Sequence, residues 1–176
     1  MQVSFFNCLI FYPCRFNFVE KWPSLTLVEV CSQWMNSRSP LISSAGPNLL
    51  LGLIRWTILH PLIQNKREAR EDSVYALLHL SILQTLADLK EMAAPVSSKT
   101  IVLLIVRVHE TLKSSSGLQC DLGSSRELAL DRLGQFLHCL TSVGGIHGKL
   151  NEVYTSVKKL EVVGGNNRLL QMYLKC

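Results

Sequence analysis

Charge is scarce in this sequence: Asp, Glu, Lys and Arg make up 18% of its 176 residues, against a usual ~25%. A chain so poor in charge and 48% apolar is not disordered as a whole, because disorder needs low hydrophobicity and high charge. The same shortage argues against a solvated coiled coil. Metal-binding spacing is also lacking. The six cysteines, at 8, 14, 31, 120, 139 and 176, form no CxxC, and a histidine adjoins a cysteine only at His138-Cys139. Neighbours on a helix point ~100° apart, so that pair suits no single ion and no zinc pattern remains. Reduced, mostly buried thiols are expected, as in a cytosolic or nuclear protein. There is no run that would span a membrane as an apolar helix of ~20 residues. The charge-free stretch 1–14 is too short, and 39–54 contains Pro40, Gly46 and Pro47. The start has no basic n-region and no small-residue cleavage site, so it does not read as a signal peptide.

Catalytic constellations are missing too. GxSxG, P-loop, GxGxxG and HExxH patterns are absent, which removes the common nucleophile, phosphate, dinucleotide and zinc-protease chemistries. Asp131 and His138 share a helix face but lie ~10.5 Å apart along its axis, too far for a base and its orienting carboxylate. His79 falls off the main apolar stripe of its helix and belongs at a helix–helix boundary. His109 sits near a helix end, where an imidazole complements the dipole. No catalytic residue, cofactor, metal ligand or small-molecule substrate is expected.

What is present is one domain's worth of helix-forming pattern. The mean hydropathy, +0.22, exceeds what a small monomer needs and predicts that some apolar surface covers a partner. The first 22 residues differ from the rest: seven of the thirteen aromatics (Phe5, Phe6, Phe11, Tyr12, Phe16, Phe18 and Trp22) lie there, and no period survives across Pro13. Residues 1–23 are therefore expected to be foreign to the domain, translated from non-coding sequence at a misplaced start, and 24–176 to be the helical scaffold domain.

Within that domain, Ser24 can cap a helix carrying Leu25, Val28, Cys31, Trp34 and Met35 at 3-and-4 spacing. A loop with Pro40, Gly46 and Pro47 follows, then Asn48 to about Gln64, apolar nearly all round and so a central helix. Pro61 predicts a kink or an early stop just before it. The run KREARED at 66–72 alternates in sign and reads as a linker or helix edge. From Ser73, the positions Val74, Leu78, Ile82, Leu86 and Leu89 hold one face, with Leu77 beside them, until Ala93-Ala94-Pro95. Ser97 or Ser98 caps a stretch to Lys113 whose TIVLLIVRV core is β-branched. Its length without a turn signal favours helix over a strand of ~5–6 residues. Ser124 with Glu127 forms a capping box before Leu130, Leu133, Phe136, Leu137 and Leu140, which Gly144-Gly145 stops. Leu150, Val153, Tyr154, Val157 and Leu160 mark the next helix, and Asn166 or Asn167 caps the last, RLLQMYLK. The predicted fold is all-α, with about seven helices in antiparallel hairpins, a HEAT-like stack or an irregular bundle and no convincing strand.

Two features could meet partners. Arg55-Trp56 stands inside LLLGLIRWTIL. The arginine snorkels past a core indole, or the pair is an interface hot spot, a role for which both residue types are enriched. The net charge of +5 is spread out, a weak nucleic-acid footprint. The rival reading is a basic accessory subunit that contacts nucleic acid through Lys149, Lys158, Lys159, Arg168 and Lys175.

Four collinear stretches, LLGLIRW at 50–56, YALLHLSILQTLADL at 75–89, ELALDRLGQFLH at 127–138 and NNRLLQMYL at 166–174, resemble the C-terminal half of the Integrator complex subunit 15 family. TLVEVCSQWMNSRSPLI at 26–42 is similar more weakly, so the resemblance runs from near Leu25 to the end. It implies a nuclear, non-catalytic helical scaffold with no enzyme activity of its own. Integrator associates with RNA polymerase II, cleaves nascent small nuclear RNAs and attenuates transcription, with cleavage and phosphatase activities in other subunits. The implied partners are other Integrator subunits, through the arm module of subunits ten, thirteen and fourteen. Residues 1–22 do not resemble the family, the loop before Gly52 is shorter than expected, and a Pro- and His-rich tail is absent. A stack lacking its N-terminal half would expose an apolar end.

Overall fold

A helix that is apolar on nearly every side needs several partners, and Pro40–Ile63 (α1) packs against three other helices. The computed structural model of the chain describes residues 40–63, 69–88, 95–115, 122–164 and 167–175. The aromatic segment 1–23 and the helix expected over 24–36 lie outside these. Five further helices follow α1: Ala69–Ala87 (α2), Ser98–Ser115 (α3), Leu122–Ser142 (α4), Leu150–Gly164 (α5) and Arg168–Lys175 (α6). The all-α expectation holds, and the β-branched run 101–108 is helical, as its length required.

Several boundaries differ from the sequence reading. The expected loop with Pro40, Gly46 and Pro47 is, from residue 40 on, the first part of α1. Pro40 opens the helix, where its missing N–H costs nothing. Pro61 brings no early stop either: α1 continues to Ile63. The helix expected from Ser73 begins earlier, at Ala69, so KREARED takes the helix-edge form of its two expected readings. Ser124 does not sit at a cap, because α4 begins two residues before it, at Leu122.

Packing sorts the helices into two rows. One row contains α1, α3 and α5, with α3 lying extensively on α5; the other contains α2, α4 and α6. Between the rows, α1 packs on both α2 and α4. Next-but-one neighbours in rows are what stacked helix pairs produce. The broad α1–α4 contact, between helices three apart in order, is instead a feature of an irregular bundle. The core runs through Leu50, Ile54 and Ile58 of α1, Ile82 and Leu86 of α2, Ile101 and Ile105 of α3, Leu133 and Phe136 of α4, and Val153 and Val157 of α5. Leu77 and Leu150, expected on buried faces, are exposed.

Two devices set the junctions. Helix α4 ends in a Schellman motif: the Gly145 N–H donates to the Leu140 carbonyl at 2.8 Å and the Gly144 N–H to that of Thr141 at 3.1 Å. Gly144, at φ 63, supplies the left-handed residue this motif needs. The chain then enters a two-residue parallel ladder, Val96–Ser97 (β1) with Ile146–His147 (β2), which the sequence did not announce. Next to it, the Lys149 N–H donates to the buried Ser98 hydroxyl at 3.1 Å.

Candidate interaction surface

The polar groups of the core come first, because they are where chemistry could hide. Pro61 has no N–H, so the Thr57 carbonyl four residues earlier loses its helical donor. A buried arginine from another helix replaces it: Arg132 of α4 donates to that carbonyl at 2.6 Å. The Thr57 hydroxyl donates to the Ile54 carbonyl at 2.8 Å and lies 3.1 Å from Nδ1 of His79 on α2. On the other side of the ring, Nε2 lies 3.0 Å from Oε1 of Gln135 on α4. The neutral ring donates through Nε2–H to Gln135 and leaves Nδ1 as an acceptor beside the Thr57 hydroxyl, whose single proton goes to the Ile54 carbonyl. Burial, partly offset by the bond to Gln135 and reinforced by the Arg132 charge, lowers the His79 pKa to about 4. His79 therefore stands at a helix–helix boundary, as its off-stripe position indicated. A neutral imidazole enclosed by three helices is a structural clasp rather than a reactive base.

Sequence reasoning missed Thr57, Arg132 and Gln135. Pro61 was a signal that position 57 needs an outside donor, but nothing in the pattern says which helix provides it. The Asp131–His138 pair is not assembled: Asp131 accepts from the Asn167 amide at 2.8 Å, and His138 is exposed. Cys139 is a half-buried free thiol whose pKa burial raises, and the other cysteines lie outside the described residues. No group of three His, Cys, Asp or Glu side chains among the described residues could hold a metal ion. No helix among them is long and apolar enough to cross a membrane.

Arg55 and Trp56 are both half-buried on α1. Burial first, and then the positive charge of Arg107 on α3, lower the pKa of the Arg55 guanidinium. Arg107 itself meets Glu110 at 3.4 Å in an exposed pair. The same outer face of α3 shows Leu103 at 67% exposure and Val106 at 41%. A second apolar pair, Leu77 and Leu80, is exposed on α2. Lys149, Lys158, Lys159, Arg168 and Lys175 are all exposed. They are distributed over α5, α6 and the turn before α5, and Lys149 is already 3.6 Å from Glu152.

Fold and site together define an all-helical protein with a sealed polar junction and apolar side chains left on outer helix faces. The chain belongs to the Integrator complex subunit 15 family, whose model matches residues 16–161. That match begins in the aromatic segment, so the composition break near residue 23 is not the edge of the similarity. It also ends before NNRLLQMYL at 166–174, one of the stretches that suggested the family. No curated protein and no solved structure matches the chain.

Proposed function

We propose that the chain is a non-catalytic scaffold that docks other Integrator subunits, with the arm module first among them, in the nuclear, RNA polymerase II-linked processing of small nuclear RNA 3′ ends and in transcription attenuation. Family membership carries this reading. The exposed Leu77, Leu80, Leu103 and Val106 support it, because apolar side chains repeated on outer helix faces suit partner helices. Arg55 and Trp56 are the proposed polar and aromatic anchors. The buried Thr57, His79 and Arg132 join α1, α2 and α4, which agrees with a role in assembly. The test is affinity purification of the tagged full chain with mass spectrometry at low and high salt. Integrator subunits retained at high salt are the expected result. Recovery of none rejects the proposal, whereas recovery that collapses steeply with salt points to phosphate contacts instead.

A further inference from the structure

We infer that Arg55 of α1 and Arg107 of α3, with Leu103 and Val106 beside them, form a docking face for an acidic amphipathic helix of a protein partner. This rests on the scaffold reading and names the chemistry of its contact. Lys99, Leu103, Val106, Arg107, Glu110 and Lys113 are all exposed on α3, and their 3-and-4 spacing places them on one face. Three cations and one carboxylate give that face a net positive charge, and Arg55 adds another beside it. Arg55 is half-buried and makes no hydrogen bond or ion pair among the described residues. The helices that carry Arg55 and Arg107 pack on each other, and Arg55 feels the like charge of the Arg107 guanidinium. Like charges on two packed helices repel, and an anion docked beside them relieves that repulsion.

The anion's setting follows from the apolar neighbours. Leu103 lies four residues, one turn, before Arg107, and Val106 directly precedes it. A nucleic-acid backbone has no use for exposed leucine and valine next to its phosphates. An amphipathic helix does, because its apolar ridge covers Leu103 and Val106 while Asp or Glu on its flank reaches the arginines. The existing Arg107–Glu110 pair is exposed on both sides and holds little energy against exchange for an incoming carboxylate.

The experiment uses the full chain and purified Integrator subunits and modules, with wild type, Arg107→Glu, Leu103→Asp and the control Lys158→Glu. Arg107 and Leu103 are exposed, so both variants retain the fold, checked by circular dichroism. Arg107→Glu and Leu103→Asp are each expected to weaken binding at least ~tenfold, and Lys158→Glu to leave it within ~twofold. Amine cross-links from Lys99 and Lys113 should fall on a partner helix bearing Asp or Glu, and Glu→Arg there should restore binding of Arg107→Glu. Binding unchanged by both α3 variants, or cross-links to an acid-free segment, overturns the inference and leaves the scaffold reading standing. Loss of binding to a short RNA, with subunit binding intact, also overturns it by assigning the arginines to phosphate. If wild type binds no Integrator subunit at all, the scaffold reading fails and the inference fails with it.

Discussion

Arg132 occupies a position that an apolar residue would normally hold, and Pro61 explains why. The proline leaves the Thr57 carbonyl without a donor inside a buried helix, and Arg132 is the donor that reaches it. Arg132→Met should therefore cost about 1–3 kcal/mol, the price of an unsatisfied buried acceptor. The cost should shrink by about 1 kcal/mol when Pro61→Ala restores the helical N–H, and a double-mutant cycle in urea measures that coupling. His79 makes the same junction sensitive to acid. Its folded pKa, about 4, lies below the ordinary 6.5, so as pH falls the unfolded chain takes up the proton first. The stability tied to the neutral ring is complete above about 6.5 and is lost as pH drops towards 4, by up to about 3 kcal/mol. His79→Gln should flatten that part of the pH profile of the urea midpoint. Gly134 is constrained by contact rather than charge: a Cβ there would meet the Leu169 backbone and side chain at 3.1 Å. Gly134→Ala gains ~1 kcal/mol of helix propensity but forces α6 away from α4. A net loss of about 1–2 kcal/mol is expected, read by thermal melting.

Among the elements, α6 shows how little a short helix owes to its own sequence. Eight residues are too few to be helical alone, so the segment depends on its cap and its neighbours. Asn167 does both jobs: its Oδ1 accepts the Leu170 N–H at 3.1 Å, and its amide donates to Asp131 of α4 at 2.8 Å. Tyr173, buried and stacked on Tyr154 at 5.3 Å, ties the helix to α5. Asn167→Ala should cost about 1–2 kcal/mol, and hydrogen exchange should show faster opening of 168–175 before any other helix. That cap was legible in the sequence, as one of two adjacent asparagines before RLLQMYLK. So were the Gly144 stop and the buried faces of α4 and α5, because glycine at a left-handed position and a 3.6-residue stripe are local facts. The start of α1 was not. Pro40, Gly46 and Pro47 are read as a loop from propensity, which tertiary packing overrides. The exposure of Leu77 and Leu150 was equally hidden, since a stripe shows which residues could be buried and not where neighbouring helices end. Arg55 and Trp56 stood out as residue types, but the approach of Arg107 to Arg55 depends on α3 packing on α1, 52 positions away by number.

At the scale of the whole molecule, α1 decides how the helices depend on one another. It belongs to one row through α3 and joins the other through α2 and α4, and His60 stacks on Tyr75 of α2 at 3.7 Å. Removing packing from α1 therefore loosens both rows together, whereas a defect in α6 stays at one end. Ile58, fully buried in the core, is the sharpest probe of this difference. Ile58→Ala should cost about 2–5 kcal/mol through the lost transfer energy and the cavity left behind. The loss should appear as one shifted transition, with far-UV dichroism and fluorescence from Trp56, isolated by Trp22→Phe and Trp34→Phe, coinciding. Separate transitions for the two signals would mean that the rows unfold independently and that α1 does not couple them. The same test bears on docking. Arg55 is on α1 and Arg107 on α3, so a partner helix that bridges them would brace the contact between two helices that the core already holds. It should raise the midpoint of the wild-type transition with the logarithm of its concentration once that exceeds Kd, and raise that of Arg107→Glu less at the same concentration.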